Sequence, residues 1–176
     1  MAWRIRQAGY TDLEEAARAK ALSWAESLRG VVPDEALVRQ LEPEWLVRTA
    51  DRWRALLDGG GCLWLVVGDG RDIAGIAYAC IGRDDDGPTS LELVMMYLRE
   101  AAQGGGVADA LLQTAIGDAP AYLWVLSGND RAQAFYRRHG FTPDGTRLPV
   151  DGLDTTKERW VRLEQNGDAS SVHHDK

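Results

Sequence analysis

Residues 103–108 read Gln103-Gly104-Gly105-Gly106-Val107-Ala108, three glycines set between an apolar run and a helix-like one. Glycine takes up left-handed backbone without steric penalty, so such a run can turn several N–H groups outward. A helix starting behind it adds unpaired donors and the positive end of a dipole, and together these make an anion site. A P-loop would close on Gly-Lys-Ser/Thr, whereas Val107-Ala108-Asp109 follow here without a lysine. A dinucleotide fingerprint would need a third glycine where Asp109 stands and an early βαβ unit, and it has neither. The carboxylates of Asp84-Asp85-Asp86-Gly87-Pro88 lack the glutamate spacing of a calcium loop and read as a solvated turn. A nucleotide-phosphate binder and a metal site are therefore both disfavoured. On the loop alone, a tight turn without a ligand remains open.

A second stretch narrows the choice. The apolar run Ala121-Tyr122-Leu123-Trp124-Val125-Leu126 is followed by Asn129, Ala132, Phe135, Tyr136, Gly140 and Phe141, in the pattern Asn-x-x-Ala-x-x-Phe-Tyr-x-x-x-Gly-Phe. The glycine stretch fits Gln/Arg-x-x-Gly-x-Gly/Ala after a mid-chain strand, and one helix and one strand fit between the two patterns. Order, spacing and residues together resemble the GNAT N-acetyltransferase superfamily, over roughly residues 4–163, with the N-terminal third carrying the likeness loosely.

The resemblance implies a mixed α/β fold, a largely antiparallel central sheet flanked by helices, in which a splayed strand pair holds acetyl-CoA. It implies that the amides of the stretch Gln103, Gly104, Gly105, Gly106, Val107 and Ala108 cradle the cofactor's diphosphate. Met96 and Leu98 would pair their main chain with its pantetheine arm and Asn129 would touch that arm; Arg131 or Arg137 can reach a phosphate, though cations on a helix read more readily as surface residues. Tyr136 stands where the family carries its general acid, and a phenol is a better proton donor to a departing thiolate than water. Glu92, the one charge early in its apolar strand, is the candidate base, acting directly or through water once burial raises its pKa. The implied activity is acetyl transfer to a primary amine of a small molecule or peptide in a ternary complex, without metal; a non-catalytic acyl-CoA-binding module is the rival. Two departures stand out: Glu100 occupies the family's proline position and Gly105 the position of a basic residue, which should weaken cofactor affinity somewhat.

The elements that must position these groups follow from pattern. Residues 91–98 read as a strand with Leu91, Leu93, Met95 and Tyr97 on one face and Val94, Met96 and Leu98 on the other, both buried. Val107, Ala110, Leu111, Thr114 and Ala115 recur at helical spacing, and Gly117 is placed to stop that helix. Before them come a strand at 3–8, a helix from Thr11-Asp12 to about Ser27, a short helix to Gln40, and a helix opened by Pro43. Runs 62–67 and 73–81 read as strands, and the chain closes on an alternating strand at 157–163. Trp24, Trp45 and Trp53 recur on the early helices, more in the manner of core than of a substrate cage. His139, near a helix end, reads as a cap for carbonyls.

Length bounds the rest. A chain of 176 residues is one domain by size, here residues 1–164, with 165–176 a polar tail. The net charge of −7 argues against sequence-independent nucleic-acid binding and suits a cationic amine. No apolar run has transmembrane length and no signal peptide opens the chain. Cys62 and Cys80 read as free thiols in a reducing cytoplasm. Dimerisation is possible, though no segment marks an interface.

Overall fold

The computed structural model describes residues 2–70 and 72–164; the polar tail at 165–176 lies outside them. Strand β1 (Arg4–Gln7) leads through a 3-10 turn into helix α1 (Leu13–Leu28), then α2 (Asp34–Arg39) and α3 (Pro43–Asp58). Strands β2 (Trp64–Val67), β3 (Ile73–Ile81) and β4 (Leu91–Leu98) follow, then α4 (Val107–Ile116), β5 (Ala121–Leu126), α5 (Asp130–Arg138), β6 (Thr142–Pro149) and β7 (Thr156–Arg162). The sheet has seven strands in the order β1-β2-β3-β4-β5-β7-β6, antiparallel except between β4 and β5.

Alternation along the strands sends side chains to two cores. Leu65, Ile73 and Ile76 pack under α1 and α3 with Leu13, Ala16 and Trp53. On the other face Val66, Ala74 and Ala77 meet Leu111 of α4, while Leu123 and Val125 meet Leu112, Tyr136 and Phe141. Leu111 and Leu112, both fully buried, each contribute about 1.5–3 kcal/mol through the water they shed.

Strand β4 departs from simple alternation. Tyr78 pairs with Met95 but Ala79 pairs with Leu93, so Val94 is an extra residue, a bulge. Leu91, Leu93, Met96 and Leu98 therefore share the α4–α5 face, while Met95 and Tyr97 turn toward α1. The expected faces, Leu91 and Leu93 with Met95 and Tyr97, are corrected on this point: one inserted residue shifts the parity of everything after it.

Candidate functional site

The β4–β5 ladder consists of Glu92 against Tyr122 and Leu93 against Leu123, and it stops there. Beyond the Val94 bulge the two strands part and open a cleft of about 630 Å³ that passes through the sheet. On its α4–α5 side it is lined by Met96, Leu98, Gln103, Gly104, Gly106, Ala108, Asn129, Arg131, Phe135, Tyr136 and Arg138. On its α1 side it is lined by Trp24, Leu28, Tyr97, Trp124, Leu126 and Lys157.

The glycine stretch is conformationally committed. Gly104, Gly105 and Gly106 have φ of 89°, 60° and 77°, and nothing lies within 4 Å of the position a Cβ would take. Gly106 is the left-handed N-cap of α4 and its carbonyl accepts the first helical bond from Ala110 N at 3.0 Å. Among the described residues the amides of Gly105, Gly106 and Ala108 have no acceptor. An L side chain in this backbone costs about 1–2 kcal/mol per residue, so the glycines keep a cradle of donors that a larger residue would strain. Gly105 and Val107 do not line the cleft by side chain or surface, and Val107 packs on the core beneath. Gln103 donates to Leu98 O at 3.0 Å, tying the loop to the end of β4. Glu26 of α1 holds the same corner, accepting from Arg99 Nε at 2.7 Å and Glu100 N at 2.8 Å.

Asn129 caps α5, its Oδ1 accepting from Ala132 N at 3.2 Å, which leaves the amide NH2 to the cleft. Arg131 and Arg138 reach the cleft; Arg137 instead stacks over Trp160, 5.1 Å from its centroid. His139 does not serve as a carbonyl cap through its ring: Nε2 meets Asp109 Oδ1 at 2.8 Å and joins the end of α5 to the start of α4.

Tyr136 is held by edge-to-face contacts with Phe135 (5.4 Å) and Phe141 (5.8 Å). Its hydroxyl has no hydrogen-bond partner among the described residues. Burial, with a smaller push from Tyr97, raises its pKa well above the usual phenol range, so the phenol keeps its proton at neutral pH. Burial likewise pushes Tyr97 up to about 12.

Glu92 is placed differently from the expectation. It is 1% exposed and absent from the cleft wall. Its Oε1 accepts from Arg83 Nη2 at 2.7 Å, and its Oε2 from Arg83 Nε at 2.9 Å, Arg83 N at 3.2 Å and the Tyr122 hydroxyl at 3.2 Å. Burial would raise its pKa, but the Arg83 guanidinium and these donors outweigh burial and the net direction is downward. A carboxylate so engaged is a poor proton acceptor, and the expected rise of its pKa on burial is corrected to a fall. Among the described residues lining the cleft the one carboxylate is Asp109, at the loop end.

Tyr97, Trp124 and Lys157 line the cleft without having been marked as site residues in the sequence, and Phe135, there only a motif position, lines it too. Trp24 lines it as well, whereas Trp53 is core at 5% exposure and Trp45 packs under Arg48.

Residues 21–141 match the pattern described as the Acetyltransferase (GNAT) family. Uncharacterized N-acetyltransferases of Mycobacterium bovis and Mycobacterium tuberculosis are 36% identical over 78 residues, 41% of this chain and 49% of each relative. The chain thus spans about half the length of the curated relatives it matches. The crystal structure of PaiA N-acetyltransferase from Thermoplasma acidophilum in complex with coenzyme A superposes with a TM-score of 0.72 at 18% identity, covering 93% of this chain and 100% of that one. A protein described as histone acetyltransferase HPA2 and related acetyltransferase, from Corynebacterium glutamicum, gives 0.65 at 18% identity, covering 96% and 99%. At such identities the likeness is one of fold.

Proposed function

Because the chain belongs to the GNAT acetyltransferase family through residues 21–141, we propose that it transfers an acetyl group from acetyl-CoA to a primary amine in a ternary complex. The observation that carries this reading is the pairing of an unsatisfied amide cradle with a buried, unpartnered phenol along one cleft. The cradle fits a diphosphate: Gly106 and Ala108, which line the cleft, offer free N–H groups, the α4 dipole adds positive potential, and Arg131 and Arg138 flank the same side. Acetyl-CoA supplies an activated acetyl group as a thioester. The free edge of β4 at Met96 and Leu98 would carry the pantetheine arm as an added strand, with the Asn129 amide donating to it.

The step balances simply. The amine nitrogen forms its bond to the acetyl carbon, the C–S bond breaks, and the sulfur leaves as a thiolate. Tyr136 gives its proton to that sulfur and recovers one from the proton the amine sheds. Solvent at the cleft mouth relays that proton, since Glu92 is bound to Arg83 and Asp109 to His139. Two free thiols, Cys62 and Cys80, suit work in the cytoplasm.

Tyr136→Phe tests the assignment. Thiol release should fall by about 10²–10⁴-fold, the range for a positioned acid, while the thermal stabilisation given by coenzyme A persists. Equal losses of turnover and of coenzyme A binding would retire the role of the phenol. The lack of a free carboxylate base in the cleft favours one rival, an acyl-CoA-binding module. That rival predicts stabilisation by acetyl-CoA with no thiol release over any panel of amines.

A further inference from the structure

The acidity of the chain is not carried into its cleft. Register places the acceptor half: Trp124 pairs with Arg159 and Leu126 with Lys157 across β5 and β7, and these side chains share the sheet face that looks toward α1. The wall there is apolar, made by Trp24 and Leu28 of α1, Trp124 and Leu126 of β5, and Leu153 of the β6–β7 turn. One charge stands in it, the ammonium of Lys157, 4.7 Å from the Trp124 ring centroid.

The neighbouring charges are already matched. Arg159 pairs with Asp86 at 2.9 Å and Asp144 at 2.7 Å; Glu158, on the other side of β7, pairs with Arg147 at 2.9 Å. Among the described residues the Lys157 ammonium has no ion pair and no hydrogen bond. The carboxylate that does line the cleft, Asp109, sits at the opposite end and holds His139.

A cation without a counter-ion beside an apolar wall is a recognition element for an anion, because a charge-assisted bond to a carboxylate is among the stronger polar contacts. A polycationic amine would find no free carboxylate on this half and would meet Lys157 as a like charge. We propose that the acceptor is an amine that also carries a carboxylate, of the class of α-amino acids with apolar side chains, and that Lys157 binds the carboxylate while Trp24, Leu28 and Leu153 bind the side chain. This rests on the acetyl-transfer reading above and deepens it.

Matched acceptors test it: leucine, phenylalanine and tryptophan against their carboxamides and against phenethylamine, followed by thiol release from acetyl-CoA. Wild type should favour the carboxylates by at least about tenfold in kcat/KM, the value of one well-placed charge pair. Lys157→Met should erase that preference through KM, while coenzyme A raises the melting temperature of both proteins equally. A preference that survives Lys157→Met, equal use of the amides, or no turnover of any amino acid while coenzyme A still stabilises, overturns the proposal. If coenzyme A fails to stabilise wild type, the acetyl-transfer reading falls first and this one with it.

Discussion

Glu92→Gln separates a structural carboxylate from a catalytic one. A glutamine whose amide oxygen sits at the Oε2 position keeps the bonds from Arg83 N, Arg83 Nε and Tyr122. Its NH2 then faces Arg83 Nη2, donor against donor, where a 2.7 Å charge-assisted bond had been. Losing such a bond costs about 1.5–3 kcal/mol. The Arg83 side chain is 59% exposed, so its guanidinium can turn to water instead, and the expectation settles near about 2 kcal/mol. For a domain of this size that is a fall of about 4–8 °C in Tm. The sign with pH follows from the lowered native pKa. The carboxylate's contribution is complete above the ordinary glutamate value of about 4.3 and is lost as pH falls through the lower native value. The Tm gap between wild type and variant should therefore hold from about pH 5 to 8 and narrow in stronger acid. Arg83→Met should cost more, up to about 3–5 kcal/mol, because it leaves the buried charge without its counter-ion. Turnover is measured beside melting: kcat/KM for Glu92→Gln should stay within about threefold and its pH profile should keep its shape. A loss of about 10²-fold in kcat with Tm unmoved, the signature of a missing general base, would refute the reasoning.

Gly106→Ala should lower stability by about 1–2 kcal/mol through its left-handed backbone alone, since the methyl meets nothing. It should also shrink the Tm rise given by coenzyme A; an unaltered Tm together with an unaltered rise would contradict the cradle. Lys20, whose Nζ donates to Gln40 at 2.7 Å beside Trp24 and Tyr97, is lowered to about 8 by burial and the nearby Arg52. A base with a lowered native pKa makes stability rise with pH, here from about 8 toward the unfolded value of about 10.4. Tyr97 and Tyr136, raised in the native state, begin to oppose that rise near about pH 10. Between about pH 8 and 10, where the raised Cys62 acts in the opposite sense, the wild-type melting curve should thus rise relative to that of Lys20→Met; parallel curves would exclude Lys20 as the source.

The glycine stretch and the Asn129-to-Phe141 pattern were legible because their chemistry is local. A left-handed turn declares itself in glycine, and a capped, amphipathic helix in its spacing. The Val94 bulge was not, since one unpaired residue leaves no trace in hydrophobicity, yet it exchanges the faces of Met95 and Tyr97 for those of Met96 and Leu98. The surroundings of Glu92 were hidden for another reason. Its partners, Arg83 and Tyr122, come from a turn and from a parallel strand 30 residues away, and only the folded pairing shows that charge compensation beats burial. Lys157 entered the cleft through the β5–β7 register, which composition cannot supply.

The turn after β3 springs from one half of the sheet, β1 to β4, and fastens onto the other. Arg83 N and Asp84 N meet the Tyr122 hydroxyl at 2.9 and 3.1 Å, Trp124 Nε1 meets Asp84 at 2.9 Å, and Arg159 meets Asp86. These bolts lie at the same end as the two rungs of the β4–β5 ladder, so the halves behave as tweezers gripped at the pivot. From Leu93 to Leu98 the free arm is about 16 Å long at about 3.3 Å per residue. A pivot rotation of about 5° therefore moves the tip by about 1.4 Å, the difference between a hydrogen bond and a gap. Substitutions at Tyr122, Asp84 or Arg159, whose bonds join the two halves, are therefore levered into the jaws, whereas the Arg83–Glu92 pair lies within one half.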